Sequence, residues 1–200
     1  MGYGLIFLGY LTFMFFKVAP IGLIGMPLIY RGCDKLCPYS KYYLYARNTS
    51  AVFFLYFAVF AAVWGLSIAG VSDLLSNSIF LYADEITYYT LLFLLSFFLC
   101  RANGEMSKTV GFEKGIKKER GCMSCMAVFI VMTAARLVLS AFGAEKYLRA
   151  PLLFFELFWM ILMCLYIYSC YMMIATQDII EEEDKKLREY DEKYSLLKKK

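Results

Sequence analysis

The chain has no histidine among its 200 residues. Imidazole is the usual general base near neutral pH, the usual partner of a nucleophilic serine or cysteine, and the commonest metal-binding side chain. Its absence excludes Ser-His and Cys-His nucleophilic sites, HExxH-type metal sites and histidine proton relays. The sequence also lacks a Walker A motif, a Gly-rich dinucleotide loop and a calcium-binding loop. We therefore expect no cofactor, and the sequence favours a protein that is not an enzyme.

Charged residues are scarce as well. They make up 19% of the chain, whereas hydrophobic residues make up 61%, and a soluble domain mixes about a quarter charged residues along its length. The apolar runs are Leu5–Phe16, Val18–Tyr30, Ala51–Val71, Ile79–Cys100, Cys122–Phe142 and Pro151–Thr176. The longest of them reach the ~20 residues that a helix needs to cross hydrocarbon. The sequence therefore predicts an all-α fold, a polytopic transmembrane helix bundle.

A polar break separates the first two apolar runs. A single helix over residues 4–30 would hold Lys17 inside hydrocarbon, which costs about 2.5 kcal/mol or more. Pro20 lacks a backbone donor and disfavours helix at Ala19. We expect a helix–break–helix hairpin with Lys17 at its turn, which gives six membrane helices. The alternative, one helix through the break, gives five.

Basic and acidic residues occupy different loops. Lys and Arg concentrate in Arg31–Ser50, in Arg101–Gly121 and in the tail, whereas Asp73, Asp84 and Glu85 lie in or beside another connection. The positive-inside rule makes the basic loops cytoplasmic. The sequence thus predicts a multi-pass plasma-membrane protein with a cytoplasmic C-terminus. Attraction to anionic lipid accounts for the basic charge without a nucleic-acid partner.

Two regions are predicted, a membrane bundle over residues 1–176 and a charged cytoplasmic helical tail over residues 177–200. In the tail, acidic residues precede basic ones by four positions, as in Glu181/Lys185, which stabilises a helix. Its apolar residues form a narrow stripe of Ile180, Leu187, Tyr190, Tyr194 and Leu197. The stripe could hold a homo-oligomer or a partner membrane protein together. A solvated stalk is the alternative.

Two ionisable residues lie deep within predicted helices. At about 1.5 Å per residue, Arg136 lies ~9 Å below the outer end of its helix and Glu156 lies ~8 Å below the same end. The short connection 143–150 makes the two helices antiparallel neighbours. We predict an intramembrane ion pair between Arg136 and Glu156, because pairing is the cheapest way to keep both groups at this depth. A ligand or ion-coupling site, or snorkelling to the outer interface, are the alternatives.

Four of the seven cysteines form spaced pairs, Cys33-x-x-x-Cys37 and Cys122-x-x-Cys125. Both pairs are predicted on the cytoplasmic side, where the four thiolates could hold Zn²⁺ in a tetrahedral site. Alternatively, basic residues near the helix N-terminus could lower the pKa of Cys122, which would then perform thiol–disulfide exchange with Cys125. The third interpretation is that all are unreactive, since buried cysteine behaves as a small apolar side chain.

The N-terminal sequence carries a resemblance. The stretch FLGYLTFMFFKVAPIGLIGMPLIYRGCDKL, followed by a Tyr-rich segment ending in ARNTS, resembles the opening of a group of small uncharacterised polytopic membrane proteins of anaerobic Gram-positive bacteria. Their Gly-x-x-Lys-Leu segment is matched here by Gly32, Lys35 and Leu36. The resemblance implies the helix hairpin and a bacterial plasma membrane, and it implies no activity.

A second resemblance concerns Cys122 and Cys125. A CxxC pair at the head of a membrane helix is similar to that of vitamin K epoxide reductase-like oxidoreductases, which use a further cysteine pair upstream. Three functions therefore stay open. We expect a structural or accessory membrane subunit. The alternatives are a small transporter or substrate-binding membrane subunit with Arg136 and Glu156 in its pathway, and a membrane thiol–disulfide oxidoreductase that uses Cys122 and Cys125.

Overall fold

The structure, a computed structural model, describes residues 2–15, 19–71, 77–140 and 150–173, with the backbone alone given for 13–15, 19–21 and 140. Every described residue lies in a helix or in a short connection, which confirms the all-helical prediction. The helices are α1 (Gly2–Phe15), α2 (Ala19–Leu36), α3 (Lys41–Ile68), α4 (Ser78–Thr109), α5 (Glu113–Ser140) and α6 (Ala150–Met173). The predicted tail, residues 177–200, lies outside the described residues.

Four helices, α3 to α6, are long and apolar enough to cross a membrane. Even α6, with 24 residues, is about 36 Å long at 1.5 Å per residue, which exceeds the hydrocarbon thickness. Because such a helix satisfies its own backbone hydrogen bonds, it is stable where no water is available. These four helices account for the four longest apolar runs of the sequence.

The first two helices pack against each other at their glycines. A Cβ atom added to Gly9 would stand 2.6 Å from the carbonyl oxygen of Gly25, and one added to Gly32 would stand 2.6 Å from the side chain of Ile6. Gly9 therefore lies opposite the start of α2 and Gly32 opposite the start of α1, so the two helices run antiparallel with their backbones in contact. The predicted break at Lys17, itself outside the described residues, falls in the gap between α1 and α2.

Helices that follow one another in the chain are neighbours in space. Ring contacts join Phe53 of α3 to Tyr88 of α4, and Phe93 of α4 to Phe129 of α5. Phe129 also contacts Trp159 of α6, with ring centroids 5.4 Å apart. Short connections between long helices produce this antiparallel arrangement, as at Gly111, whose φ of 74° allows the tight turn from α4 into α5.

The last helix returns alongside α4 and α1. Cys100 and Met163 join α4 to α6, and Phe7 of α1 stacks against Tyr168 of α6. As a result α4 contacts α3, α5 and α6, and its buried residues outnumber those of α3. The outward surface of α3 is apolar, with exposed side chains at Val52, Phe54, Leu55, Val59, Trp64, Leu66 and Ile68.

Candidate functional site

Arg136 of α5 forms a salt bridge with Glu85 of α4. The pairing expected from the sequence, Arg136 with Glu156, stays a prediction, and the carboxylate seen against Arg136 is Glu85, which the sequence analysis located beside an external connection. Because α4 begins at Ser78, Glu85 already lies about 10 Å into the helix, at 1.5 Å per residue. Arg136 lies at a similar depth on the neighbouring antiparallel helix, so Glu85 is within its reach.

Glu156 occupies a different place on α6. It is 2% exposed, and its Oε2 lies 3.4 Å from the hydroxyl of Tyr89, which donates to it. Both partners named for the two predicted residues, Glu85 and Tyr89, belong to α4. Glu85 and Tyr89 are four residues apart and so lie on the same face of α4, where Arg136 connects α5 to α4 and Glu156 connects α6 to α4.

A further polar contact at this end of the bundle also joins a neighbouring helix to α4. The hydroxyl of Tyr56 on α3 donates to Asp84 of α4 at 2.7 Å. Asp84 and Glu85 are neighbours in sequence, so their side chains leave α4 in different directions, one toward α3 and one toward α5. Interhelical hydrogen bonds of this kind satisfy polar groups that would otherwise be costly in hydrocarbon.

The opposite end of the bundle contains a buried chain of hydrogen bonds. The hydroxyl groups of Tyr3 and Tyr43 contact each other, and Tyr43 also donates to Oδ1 of Asn103 at 2.7 Å. Asn103 is fully buried. The three residues come from α1, α3 and α4, so a single chain of polar groups holds these helices together.

Two carboxylates strengthen the same end. Ser40, the N-cap residue of α3, donates to Glu105 of α4 at 2.5 Å. Glu119 of α5 is buried, lies 3.4 Å from the guanidinium of Arg101, and fills the space that Gly104 leaves on α4. A side chain at position 104 would overlap the Glu119 carboxylate, which would have to move away from α4.

The four cysteines of the predicted zinc site do not assemble. All seven cysteines are free, and among the residues that the structure describes no three His, Cys, Asp or Glu side chains form a group that could hold a metal ion. The physical reason is topological: Cys33 and Cys37 end α2, whereas Cys122 and Cys125 lie on α5, which packs against α4 and α6.

The Cys37 thiol lies in the connection after α2. Partial burial raises the pKa of Cys37 above its usual value, and the guanidinium of Arg47 opposes this effect. Arg47 is itself held by Asp34 at 2.7 Å. A raised pKa keeps the thiol protonated near neutral pH, which makes Cys37 a weaker nucleophile and metal ligand.

Cys122 and Cys125 line one groove between α5 and α6. The groove has a volume of about 310 Å³ and is lined by Lys118, Gly121, Cys122, Cys125, Leu162, Leu165, Tyr166, Tyr168 and Ser169. The thiol of Cys122 donates to the carbonyl oxygen of Leu162 on α6 at 3.8 Å, and it interacts electrostatically with the thiol of Cys100 on α4. The thiol partner of Cys122 outside its own helix is therefore Cys100, not Cys33 or Cys37.

Sequence reasoning missed Cys100 because it belongs to no spaced pair. A signal was nevertheless present in the turn between α4 and α5, which is centred on Gly111. Residues at equal distances before and after a tight turn between antiparallel helices lie side by side. Cys100 and Cys122 are each eleven positions from Gly111, so this rule predicts their contact.

No protein-family model, no curated protein and no solved structure matches the chain. The resemblance of the N-terminal sequence and that of the CxxC pair therefore stay predictions.

Proposed function

We propose that the chain is an accessory subunit of a bacterial plasma membrane, with six membrane helices and a cytoplasmic C-terminal tail. In this arrangement α1 and α2, with 14 and 18 residues, are about 21 and 27 Å long and enter the bilayer as a closely packed hairpin. The subunit acts by binding a partner membrane protein, and no catalytic step is required of it.

The contacts that the buried polar side chains make with one another support this proposal. Tyr3, Tyr43 and Asn103 bind one another, and Arg136 binds Glu85. A transporter needs polar groups along a hydrated path, because ionisable groups within spans usually mark such a pathway. Here these groups connect helices, and neither Arg136 nor Glu156 lines the groove between α5 and α6 or that between α2 and α3.

The observation that carries the proposal is a groove on the outer surface between α2 and α3. Its volume is about 460 Å³, and its lining residues are Met26, Pro27, Tyr30, Arg31, Ser50, Ala51, Phe54 and Leu55. The small, partly exposed side chain of Ala51, next to the buried Ser50, allows a further helix to approach the backbone closely, which is how membrane helices associate. We therefore assign this groove to a transmembrane helix of a partner protein.

Site-specific photo-crosslinking in native membranes tests the assignment. A photoreactive amino acid at Leu55, which is 63% exposed, is expected to yield one discrete protein adduct. The matched control is Val131 on α5, which is 68% exposed and belongs to neither groove, and which is expected to react with lipid. Adducts of Leu55 with lipid alone would overturn the proposal, and an adduct of twice the chain's mass would identify the partner as a second copy.

A thiol–disulfide oxidoreductase is the second candidate, because Cys122 and Cys125 share one groove. In that reaction the Cys122 thiolate attacks a substrate disulfide, which forms a mixed disulfide and releases the other substrate sulfur as a thiol; Cys125 then attacks the Cys122 sulfur, which releases the remaining substrate sulfur as a thiol and leaves a Cys122–Cys125 disulfide. A Cys125→Ser variant would trap the mixed disulfide on Cys122, which non-reducing electrophoresis detects. Absence of such an adduct while Cys122 remains alkylatable contradicts this candidate.

A further inference from the structure

Sulfur atoms from three helices meet in the interior of the bundle. Cys100 Sγ of α4 lies 3.2 Å from Met163 Sδ of α6, and the thiol of Cys122 on α5 interacts electrostatically with Cys100 and donates at 3.8 Å to the carbonyl oxygen of Leu162, the residue before Met163. Cys100 and Met163 are fully buried, and Cys122 is 4% exposed. Because α4, α5 and α6 each contribute one sulfur, the cluster is held by the packing of the bundle rather than by a mobile loop.

We propose that Cys100, Cys122 and Met163 form a binding site for the cuprous ion. Two thiols and a thioether make a soft ligand set, and soft sulfur ligands select Cu(I) over harder divalent cations. Zn²⁺ prefers four ligands in a structural site, and no third thiol, carboxylate or imidazole completes such a set among the described residues. The ligand count therefore favours a three-coordinate monovalent ion.

The geometry requires only a small adjustment. With metal–sulfur bonds of about 2.3 Å, as for Zn–S, three sulfurs in a trigonal plane lie roughly 4 Å from one another. The sulfur atoms of Cys100 and Met163 are 3.2 Å apart without a metal. Because methionine has three rotatable bonds and adapts its shape readily, a rotation of Met163 is sufficient to open the site.

A neighbouring lysine offsets the charge of the copper complex. Binding of Cu⁺ to two thiols releases two protons and leaves a bis-thiolate complex with one net negative charge. Lys118 lies one helical turn before Cys122, interacts electrostatically with it, and donates to Ser169 of α6 at 2.5 Å. Its positive charge therefore lies where it can offset the charge of the complex.

The groove between α5 and α6 provides an entry path. Cys125 and Cys122 both line it, and Cys125 is only partly buried. A cuprous ion carried by a small thiol can pass to Cys125 and then to Cys122 by exchange of one thiolate ligand for another, with no change of oxidation state. From Cys122 the ion reaches Cys100 and Met163, which have no exposed surface of their own.

Copper binding by the full-length protein in detergent tests the site. The reduced protein is titrated anaerobically with Cu(I) against bathocuproine disulfonate, and one ion per chain is expected. Cys100→Ser and Cys122→Ser are each expected to weaken binding at least about 100-fold, and Met163→Leu about 10-fold, on the scale at which altered metal sites lose affinity. The matched control is Cys33→Ser, since Cys33 is fully buried like Cys100 but lies on α2.

A measurement on the unmodified protein tests the site even if the variants fail to fold. X-ray absorption at the copper edge is expected to show a shell of three sulfur atoms and no nitrogen or oxygen. A shell containing nitrogen or oxygen would overturn the proposal. So would a folded protein that retains no copper, or affinities that Cys100→Ser and Cys122→Ser leave unchanged relative to Cys33→Ser.

Discussion

The ion pair of Arg136 depends both on the depth of the available carboxylates along the bundle and on which helix carries them. Its guanidinium keeps its charge in any protein environment, so a carboxylate must lie within reach. Two carboxylates lie at a similar distance from this end of the bundle, Glu85 and Glu156. The structure pairs Arg136 with Glu85 and gives Glu156 the hydroxyl of Tyr89.

Glu85→Gln is therefore expected to destabilise the protein more than Arg136→Leu. The glutamine leaves a charged guanidinium without its counter-ion, which costs about 1.5–3 kcal/mol for a hydrogen bond to a charged group. Arg136→Leu leaves a carboxyl group that can take up a proton. Thermal unfolding in detergent measures both effects, and Glu113→Gln, an exposed residue at the start of α5, is the control.

The double variant decides whether the two residues act as a pair. If they do, Glu85→Gln combined with Arg136→Leu recovers much of the loss, because replacing a buried pair is cheaper than breaking it. Strictly additive losses would show that the residues do not interact. A larger loss from Glu156→Gln than from Glu85→Gln would favour the pairing that the sequence predicted.

Among the helices, the α1–α2 hairpin depends on glycine more than on apolar burial. The backbones come close at Gly9, opposite Gly25, and at Gly32, opposite Gly2. Membrane helices gain little from hydrophobic burial against one another, since lipid is equally apolar, so close packing supplies the attraction. Each glycine in this contact therefore contributes to the stability of the hairpin.

Gly9→Ala is expected to destabilise the protein by about 1–3 kcal/mol, the usual cost of overpacking. The added Cβ would meet a backbone carbonyl oxygen at 2.6 Å, and a backbone cannot rotate away as a side chain can. The control is Gly65→Ala on α3, where no atom lies within 4 Å of the added Cβ. Unfolding curves for the two variants should differ clearly, and coincident curves would contradict the close contact.

The sequence predicted which segments are helical and left open which helices meet. Lys17 and Pro20 predicted a break between the first two helices, because a charge in hydrocarbon and a missing backbone donor each disfavour a continuous helix at their own position in the chain. The contact of Cys100 with Cys122 and the salt bridge of Arg136 with Glu85 depend on which face each helix turns toward its neighbours. Local composition does not encode that rotation, since α3 and α4 are apolar on nearly all sides.

Across the described residues, the charged side chains that contact other helices lie toward the two ends of the bundle. Glu85 and Glu156 lie toward one end, whereas Asn103 and Glu119 lie toward the other. Cys100 and Met163 come from the adjoining interior. A hydrogen bond between Tyr10 and Ser96, at 3.0 Å, also joins α1 to α4 between the two ends, and the tail predicted for residues 177–200 stays a prediction.

The orientation of the bundle is tested by labelling single cysteines in intact cells, in a background that carries Cys37→Ser and Cys125→Ser. Asn77 precedes α4 and Lys114 begins α5, so α4, with 32 residues and about 48 Å long, separates them. Asn77→Cys is expected to react with an impermeant maleimide from outside, and Lys114→Cys only after permeabilisation, because the positive-inside rule predicts that the basic loop faces the cytoplasm. The reverse pattern would move Cys122 and Lys118 to the outer face. Anionic inner-leaflet lipid would then no longer explain the basic loop, and a thiol–disulfide reaction at the oxidising face would become the stronger candidate.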